Sequence, residues 1–353
     1  MNELAKIDSY RTEVAIAETI DEIKLLSTKG ELLAEMAKKL RIPLKGQNEL
    51  GKTRIELEKK KRELIEQMFP KGRNNQYSAN SEDLSLHDVG ITFNESSDAK
   101  IIKEEDELVN EVIREIEANN RDIITPKIVA SKVRKKKSNK DRNIRAEQGK
   151  NISIDIDFRL GDFYKVLDDI PDGTVDCIIT DPPYPREFIE CWSKLSEFAS
   201  RKLKKHGFCI AYSGQFNLPE VINRMSENLD YYWTFAVYHE GLTQIVSAVN
   251  LICRWKPVLI FQNGRKKLDN TFQDYFISEQ REKQGHDWQQ SISGVSYLIE
   301  MFTKSGELIV EPFAGAGTTI IASHNLGRNV IASEIDETVF NIAKSNINDQ
   351  KKK

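Results

Sequence analysis

From Asp155 to the C-terminus, short apolar runs alternate with amphipathic segments, and this alternation constrains the fold more than any other feature. The apolar runs predict strands at 156–161, 175–180, 207–213, 231–239, 251–262, 308–312 and 329–334. The segments between them predict helices at 163–169, 187–204, 218–229, 293–303, 318–326 and 337–347. Strands that alternate with helices form mostly parallel sheets covered by helices. We therefore expect an α/β fold built on a doubly wound, mostly parallel sheet.

The first 145 residues follow a different pattern. Apolar side chains recur there at helical spacing, and the predicted helices lie within 1–40, at 49–68, at 104–118 and from Pro126 onward. We expect an all-α N-terminal domain over residues 1–145 and a second domain over residues 146–353. The polar residues 138–152 are typical of a linker between them.

Two stretches of the N-terminal domain indicate DNA contact. Residues 84–102 predict a short helix, a turn at Gly90 and a second helix, the order found in a helix-turn-helix, although a plain helical hairpin has the same pattern. The densest basic run supplies candidate phosphate ligands, Lys132, Arg134, Lys135, Lys136, Lys137 and Lys140. Because the net charge is −3, phosphate binding depends on such local clustering. The alternatives are a solvated basic linker and helices that form a homodimer.

Composition excludes several classes of protein. The four cysteines, Cys177, Cys191, Cys209 and Cys253, are scattered and lack Cys-x-x-Cys spacing, so we expect neither a zinc site nor a disulfide framework. No apolar run reaches 18 residues and no apolar leader stands at the N-terminus, which argues against a membrane span or a secretion signal. A cytoplasmic, nucleoid-associated protein fits these properties.

The first motif with chemical meaning follows the predicted strand 175–180 and consists of Asp181, Pro182, Pro183 and Tyr184. The two prolines prevent a helix, so the chain leaves the sheet extended, at the edge where open α/β sheets bind ligands. The Asp181 carboxylate and the Pro182 carbonyl can each accept one N–H of an exocyclic amine on a nucleobase. Tyr184 can stack on a base flipped out of the duplex. The plain alternative is a strand exit in which Asp181 is a cap.

The second motif is a glycine-rich turn between the predicted strand 308–312 and the predicted helix 318–326. Gly315 and Gly317 permit a tight turn and close approach of a ligand to the backbone. Glu334 ends the next strand, seventeen positions after Gly317, close to the spacing at which an acid reaches ribose hydroxyls. Together with the first motif, this turn predicts a nucleotide-like cofactor; an unrelated fold with chance glycines is the alternative.

Residues from about 153 to 348 resemble the S-adenosylmethionine-dependent DNA amino-methyltransferases, which modify adenine N6 or cytosine N4. The resemblance is carried by Leu160–Phe163, Asp181–Tyr184, Glu311–Thr319 and Glu334–Asp336. The catalytic motif precedes the glycine motif, an order similar to that of the β group in this family. The resemblance implies a Rossmann-like methyltransferase sheet, S-adenosylmethionine as cofactor, double-stranded DNA as substrate and no metal.

The resemblance also implies roles for single residues. Cofactor contacts would come from Asp162, Phe163, Glu311, Phe313, Ala314, Gly315, Gly317, Thr318, Thr319, Glu334 and Ile335. Target recognition would use short loops near 239–250 and 264–290, although a plain surface loop is the alternative for the second. Aspartate at the first catalytic position favours adenine N6 over cytosine N4. The remaining alternative is a DNA-binding regulator with an inactive methyltransferase fold. The sequence specifies neither a recognition site nor a restriction partner.

Overall fold

The computed structural model describes residues 3–69, 85–239, 244–246, 248–268, 271, 273–278 and 292–351. The chain forms two compact units, Met1–Lys140 and Asp141–Lys353. Among the helices in the described residues, none combines the length and the apolar character needed to cross a membrane.

The first unit is helical. Its helices are α1 (Glu3–Ile16), α2 (Ile20–Lys39), α3 (Leu44–Met68), α4 (Phe93–Glu104), α5 (Asp106–Asn119) and the first part of α6 (Pro126–Lys150). The described residues of this unit contain no β-strand. Thr19 begins α2 and Thr92 begins α4, each in a capping box with the glutamate three residues later, which explains where these helices start. Apolar faces of α3, α4, α5 and α6 share one core.

The structure corrects two predictions in this part of the chain. Leu86–Gly90 is a series of turns, so residues 85–92 do not supply the first helix of the predicted helix-turn-helix. The reason is local, since Gly90 has φ +64° and the Ile91 N–H donates to the Leu86 carbonyl at 2.9 Å, so the segment ends after a single turn. The predicted linker 138–152 is also wrong, because α6 continues to Lys150 without a helix breaker.

The second unit contains an eight-stranded sheet with the order β1-β10-β9-β2-β3-β7-β4-β8. These strands are β1 (Asp157–Leu160), β2 (Val175–Thr180), β3 (Leu203–Tyr212), β4 (Asp230–His239), β7 (Trp255–Gln262), β8 (Tyr275–Ser278), β9 (Leu308–Glu311) and β10 (Asn329–Glu334). Only β7 runs against the others. The predicted α/β fold with a mostly parallel sheet is therefore confirmed. The predicted strand 251–262 is two strands, because β6 (Leu251–Cys253) pairs with β5 (Gln244–Val246) in a separate hairpin.

Helices cover both faces of this sheet and bury β2. They are α7 (Phe163–Val166), α8 (Glu190–Lys202), α9 (Leu218–Met225), α10 (Ile292–Phe302), α11 (Thr318–Asn325) and α12 (Glu337–Lys351). Ile178 of β2 shares a core with Trp192 of α8, whereas its neighbour Ile179 shares a core with Leu298 of α10. Strands buried on both faces read as continuous apolar runs, as β2 does.

The direction of the strands places their ends at a common edge. β1, β10, β9, β2 and β3 are parallel neighbours, so their carboxyl ends meet there. β7 is antiparallel to β3, so it brings its amino end to the same edge. The functional residues predicted for the second unit gather at this edge.

Candidate active site

The motif Asp181–Tyr184 follows the end of β2 at this edge. Tyr184 folds back so that its hydroxyl donates a hydrogen bond to Oδ1 of Asp181. Asn217 donates from Nδ2 to the Tyr184 carbonyl at 3.1 Å, and Gly214 lies against the tyrosine side chain. A Cβ atom at position 214 would be 3.2 Å from Cβ of Tyr184, so glycine permits this approach. The loop after β3 therefore supports Tyr184 from behind.

Lys256, near the start of β7, completes this site and was missed from the sequence. Its Nζ atom lies 3.4 Å from Oδ2 of Asp181. The same atom is 4.7 Å from the ring centre of Tyr184 and 5.4 Å from that of Tyr212. A lysine between Trp255 and Pro257 at the start of an apolar run was the available signal. The cation thus contacts one carboxylate and two aromatic rings.

Both tyrosines of the site are held in the neutral form. Burial raises the pKa of Tyr184 far above its usual range, and the Asp181 carboxylate raises it further. Burial, together with Asp181 and Glu311, raises the pKa of Tyr212 in the same direction. Tyr184 therefore remains a hydrogen-bond donor to Asp181 at any physiological pH.

The glycine-rich turn lies between β9 and α11, and β9 is paired with β2. Gly315 has φ +52° and its backbone N–H donates to Oε2 of Glu334 at 2.9 Å. A Cβ atom at Gly315 would meet no heavy atom within 4 Å, so open space lies beside the turn. Gly317, with φ +86°, caps α11, and Ala314 is fixed by donating from its N–H to the carbonyl of Ser333 at 2.9 Å. The turn is thus rigid but open on one side.

The ends of β1 and β10 border the same space. The N–H of Gly161 donates to the Glu334 carbonyl at 2.8 Å, so the two strand ends are in register. Asp162 caps α7, where its Oδ1 accepts from the N–H of Tyr164 at 3.1 Å. The buried ring of Phe163 lies 4.9 Å from that of Phe313. Three strand ends therefore converge on the glycine turn.

Glu311, the last residue of β9, connects this turn to the end of β2. Its buried carboxyl accepts hydrogen bonds from the Thr180 hydroxyl and, at 3.0 Å, from the Phe313 N–H. Burial raises the pKa of Glu311 to about 8, despite the opposing hydrogen bonds from Thr180, Thr319 and Phe313. Because Thr180 precedes Asp181, one carboxyl group joins the two motifs.

The predicted residues of this unit differ in their access to a ligand. Glu311, Ala314, Thr318 and Thr319 are buried, as are Pro182 and Phe163. Gly317 is also buried, whereas Asp181, Pro183, Tyr184, Asp162, Phe313, Gly315 and Glu334 are partly exposed. Ile335 is 68% exposed at the rim.

The basic run of the first unit is largely paired with acids. Arg134 lies 2.6 Å from Asp98, Lys136 lies 2.7 Å from Glu111, and Lys132 lies 3.8 Å from Asp122. Lys137 is paired with Glu105. Within the described part of the chain, Lys135 and Lys140 are exposed and have no carboxylate oxygen within 4.0 Å. These two are therefore the cations of the run that remain available to phosphate.

The predicted recognition loops are described only in part. From the region 239–250, the structure describes His239, Gln244–Val246 and residues 248–250. From the region 264–290, it describes 264–268, 271 and 273–278, of which Tyr275–Ser278 form β8. The remaining residues of both predictions lie outside the described residues.

Comparison with known proteins now adds to this geometry. Residues 175–345 match the model of a family described as DNA methylase, of the N6/N4 methyltransferase type. This chain carries an N6/N4-type DNA methylase domain. The matched residues include the catalytic motif, Lys256, the glycine turn and Glu334 of the methylase domain.

Proteins that are similar to the methylase domain include two Type II methyltransferases. The Type II methyltransferase M.HindIII of Haemophilus influenzae is 29% identical over 102 residues, which are 29% of this chain and 31% of that protein. The Type II methyltransferase M.HpaI of Haemophilus parainfluenzae is 20% identical over 229 residues, which cover 53% of this chain and 72% of that protein. The crystal structure of M1.HpyAVI with SAM is similar with a TM-score of 0.47 and 21% identity, covering 54% of this chain and 99% of that one.

Proposed function

We propose that this protein transfers a methyl group from S-adenosylmethionine to the exocyclic N6 amine of adenine in double-stranded DNA, after the base has flipped out of the helix. The observation that carries the proposal is the position of Asp181 and Tyr184 at the end of β2, beside the open glycine turn that follows β9. A methyl acceptor and a methyl donor can meet at such an edge.

The cofactor site is supported by the fit of the residues around the turn. Open space beside Gly315 allows a ligand to approach the backbone, and the partly exposed Glu334 carboxylate borders that space. Each carboxylate oxygen of Glu334 accepts one backbone N–H and can still accept a ribose hydroxyl, since each oxygen has two lone pairs. Asp162 borders the site after β1, where its carboxylate can accept a hydrogen bond from the adenine amine of the cofactor.

Some predicted cofactor residues would act from beneath the ligand. The buried Glu311 holds Thr180 and Phe313, and the buried Phe163 supports the ring of Phe313. We propose that these side chains shape the pocket, while Phe313, Gly315 and Glu334 form its surface. S-adenosylmethionine, when bound, supplies an electrophilic methyl group on a sulfonium.

The residues of the catalytic motif would make the target amine a better nucleophile. The nitrogen lone pair of an exocyclic amine is delocalised into the base, so the amine reacts poorly. The Asp181 carboxylate and the Pro182 carbonyl can each accept one N–H, which draws the nitrogen toward tetrahedral geometry. Tyr184 would stack on the flipped base, and this stacking would offset about 1–3 kcal/mol of the free energy that unstacking costs.

The first unit would add affinity for DNA. Its exposed cations Lys135 and Lys140 are suited to phosphate contacts, which lack sequence information. Base readout would then fall to the recognition loops near 239–250 and 264–290. The other cations of the run are already paired with acids of the same unit, so the phosphate contribution should be modest.

The decisive experiment is mass spectrometry of nucleosides from unmethylated DNA incubated with the protein and S-adenosylmethionine. We expect N6-methyladenine, with the inactive variant Asp181→Ala as the matched control. N4-methylcytosine alone would change the base but keep the mechanism. DNA binding without any methylated nucleoside would contradict the proposal and support a regulator with an inactive fold.

A further inference from the structure

We infer that the ammonium group of Lys256 marks the position that the exocyclic amine of the target base takes during the reaction, and that the lysine leaves this position when the base enters. The inference rests on the proposed function, because it assigns a place within that reaction. It concerns the subsite formed by Asp181, Tyr184 and Tyr212 around Nζ of Lys256.

The contacts of Lys256 are those that a target amine requires. Both groups are nitrogen atoms that donate N–H bonds to an oxygen. The ammonium lies 3.4 Å from Oδ2 of Asp181, whose other oxygen accepts from Tyr184. It also lies over the ring of Tyr184, the ring on which a flipped base would stack. A base stacked there with its amine directed at Asp181 would place a nitrogen near Nζ.

The other side of Tyr184 offers less room to a base. The backbone at Gly214 approaches so closely that a Cβ atom there would lie 3.2 Å from Cβ and 3.3 Å from Cγ of the tyrosine. Asn217 holds the Tyr184 carbonyl, and Gln215 donates to the carbonyl of Trp255 at 3.1 Å, so this loop is tied to both strands beside it. A lysine on a flexible four-carbon stem can move aside, whereas this anchored loop cannot.

The charge of Lys256 makes its departure necessary. During methyl transfer the amine nitrogen gains positive charge, and an ammonium held about 4 Å away would repel it. At an effective dielectric constant of roughly 20, about half a unit of charge on the nitrogen would make this repulsion slow the step about thirtyfold. Before the base enters, the same charge is favourable, since it keeps the partly buried Asp181 carboxylate paired. Lys256 therefore stabilises the empty site and opposes a filled one.

The inference can be tested by measuring base flipping without methyl transfer. The probe is a duplex that contains the site located by methylation-aware sequencing of DNA treated with the wild type. It carries 2-aminopurine beside the target adenine and is bound in the presence of S-adenosylhomocysteine, and its fluorescence rises when the target unstacks. Lys256→Met keeps the length of the side chain but removes the charge, so we expect a several-fold higher flipped fraction than in the wild type. Lys256→Arg keeps a cation that stacks well on aromatic rings, so we expect a lower fraction.

Lys205→Met is the matched control, because Lys205 is exposed near the opposite end of β3 and its loss changes the net charge equally. It should leave the flipped fraction unchanged. If Lys256→Met fails to fold, Lys256→Gln provides the same comparison with a neutral donor. An equal or lower flipped fraction in the folded neutral variant would overturn the inference. Methylation by the wild type in the same preparation separates this outcome from failure of the proposed function.

Discussion

The buried carboxyl of Glu311 gives a quantitative prediction for stability. Its pKa is raised to about 8 by burial, from an ordinary value of 4.5. Between these values the folded protein keeps the proton and the unfolded chain has lost it, so the free energy of unfolding falls as pH rises. The difference of about 3.5 units corresponds to about 5 kcal/mol, at about 1.4 kcal/mol for each pH unit.

Glu311→Gln should remove this dependence. The amide oxygen can still accept from Thr180 and Phe313, and the amide nitrogen takes the place of the protonated oxygen. We expect the variant to match the wild type near pH 5 and to be more stable by about 4 kcal/mol at pH 8, because only the wild type must then bury a charge or hold a proton.

Urea unfolding followed by tryptophan fluorescence from pH 5 to pH 8.5 measures this difference. All four tryptophans lie in the unit Asp141–Lys353, so the signal reports on the unit that contains Glu311. Glu300→Gln, an exposed change in α10, is the control and should show no pH-dependent difference. A stability difference between Glu311→Gln and the wild type that stays constant across this range would refute the assignment of a raised pKa to Glu311.

The remaining predictions concern the proposed site. Glu334→Ala should weaken S-adenosylmethionine binding by about 1.5–3 kcal/mol, since a charged acceptor is lost; unchanged affinity by calorimetry would mean that another acid holds the ribose. Asp181→Ala should abolish methyl transfer but retain DNA binding in a gel-shift assay, and robust methylation would disprove the mechanism. Tyr184→Ala should impair capture of the base, and a mismatched target should partly restore the rate, because unpairing is then easier. Lys135→Ala with Lys140→Ala should weaken DNA binding and reduce its salt dependence; an unchanged salt slope would remove these cations from the interface.

Most of the second unit could be predicted because its local and global patterns agree. The predicted strands 175–180 and 329–334 match β2 and β10 to the residue. These strands are short apolar runs that begin two residues after a glycine, Gly173 or Gly327, so the sequence pattern marks where each one starts. The linker predicted over 138–152 failed for the opposite reason. A polar composition does not end a helix unless a breaker is present, and α6 continues through this segment to Lys150.

The chemistry was predictable only where it lies within one motif. Asp181 and Tyr184 are three positions apart, so their cooperation follows from the sequence. Lys256 lies 75 positions from Asp181, and its place depends on β7 running against β3. Glu311 meets Thr180 across 131 positions, and its raised pKa arises only from burial in the assembled sheet. Such pairs require the strand order, which periodicity does not specify.

The strand order also has a consequence for biosynthesis. β1 is an edge strand whose neighbour is β10, and β2 lies between β3 and β9. Val310 of β9 pairs with Ile178 of β2 but is translated 132 residues later (310 minus 178), which takes about 7 to 26 s at ribosomal rates. Throughout that interval the backbone N–H and C=O groups on one edge of the apolar strand β2 lack their partner strand. Strands from other chains can pair with such an edge. A chain released before Leu308 would therefore be prone to aggregate, because it lacks β9, the strand that covers this edge of β2.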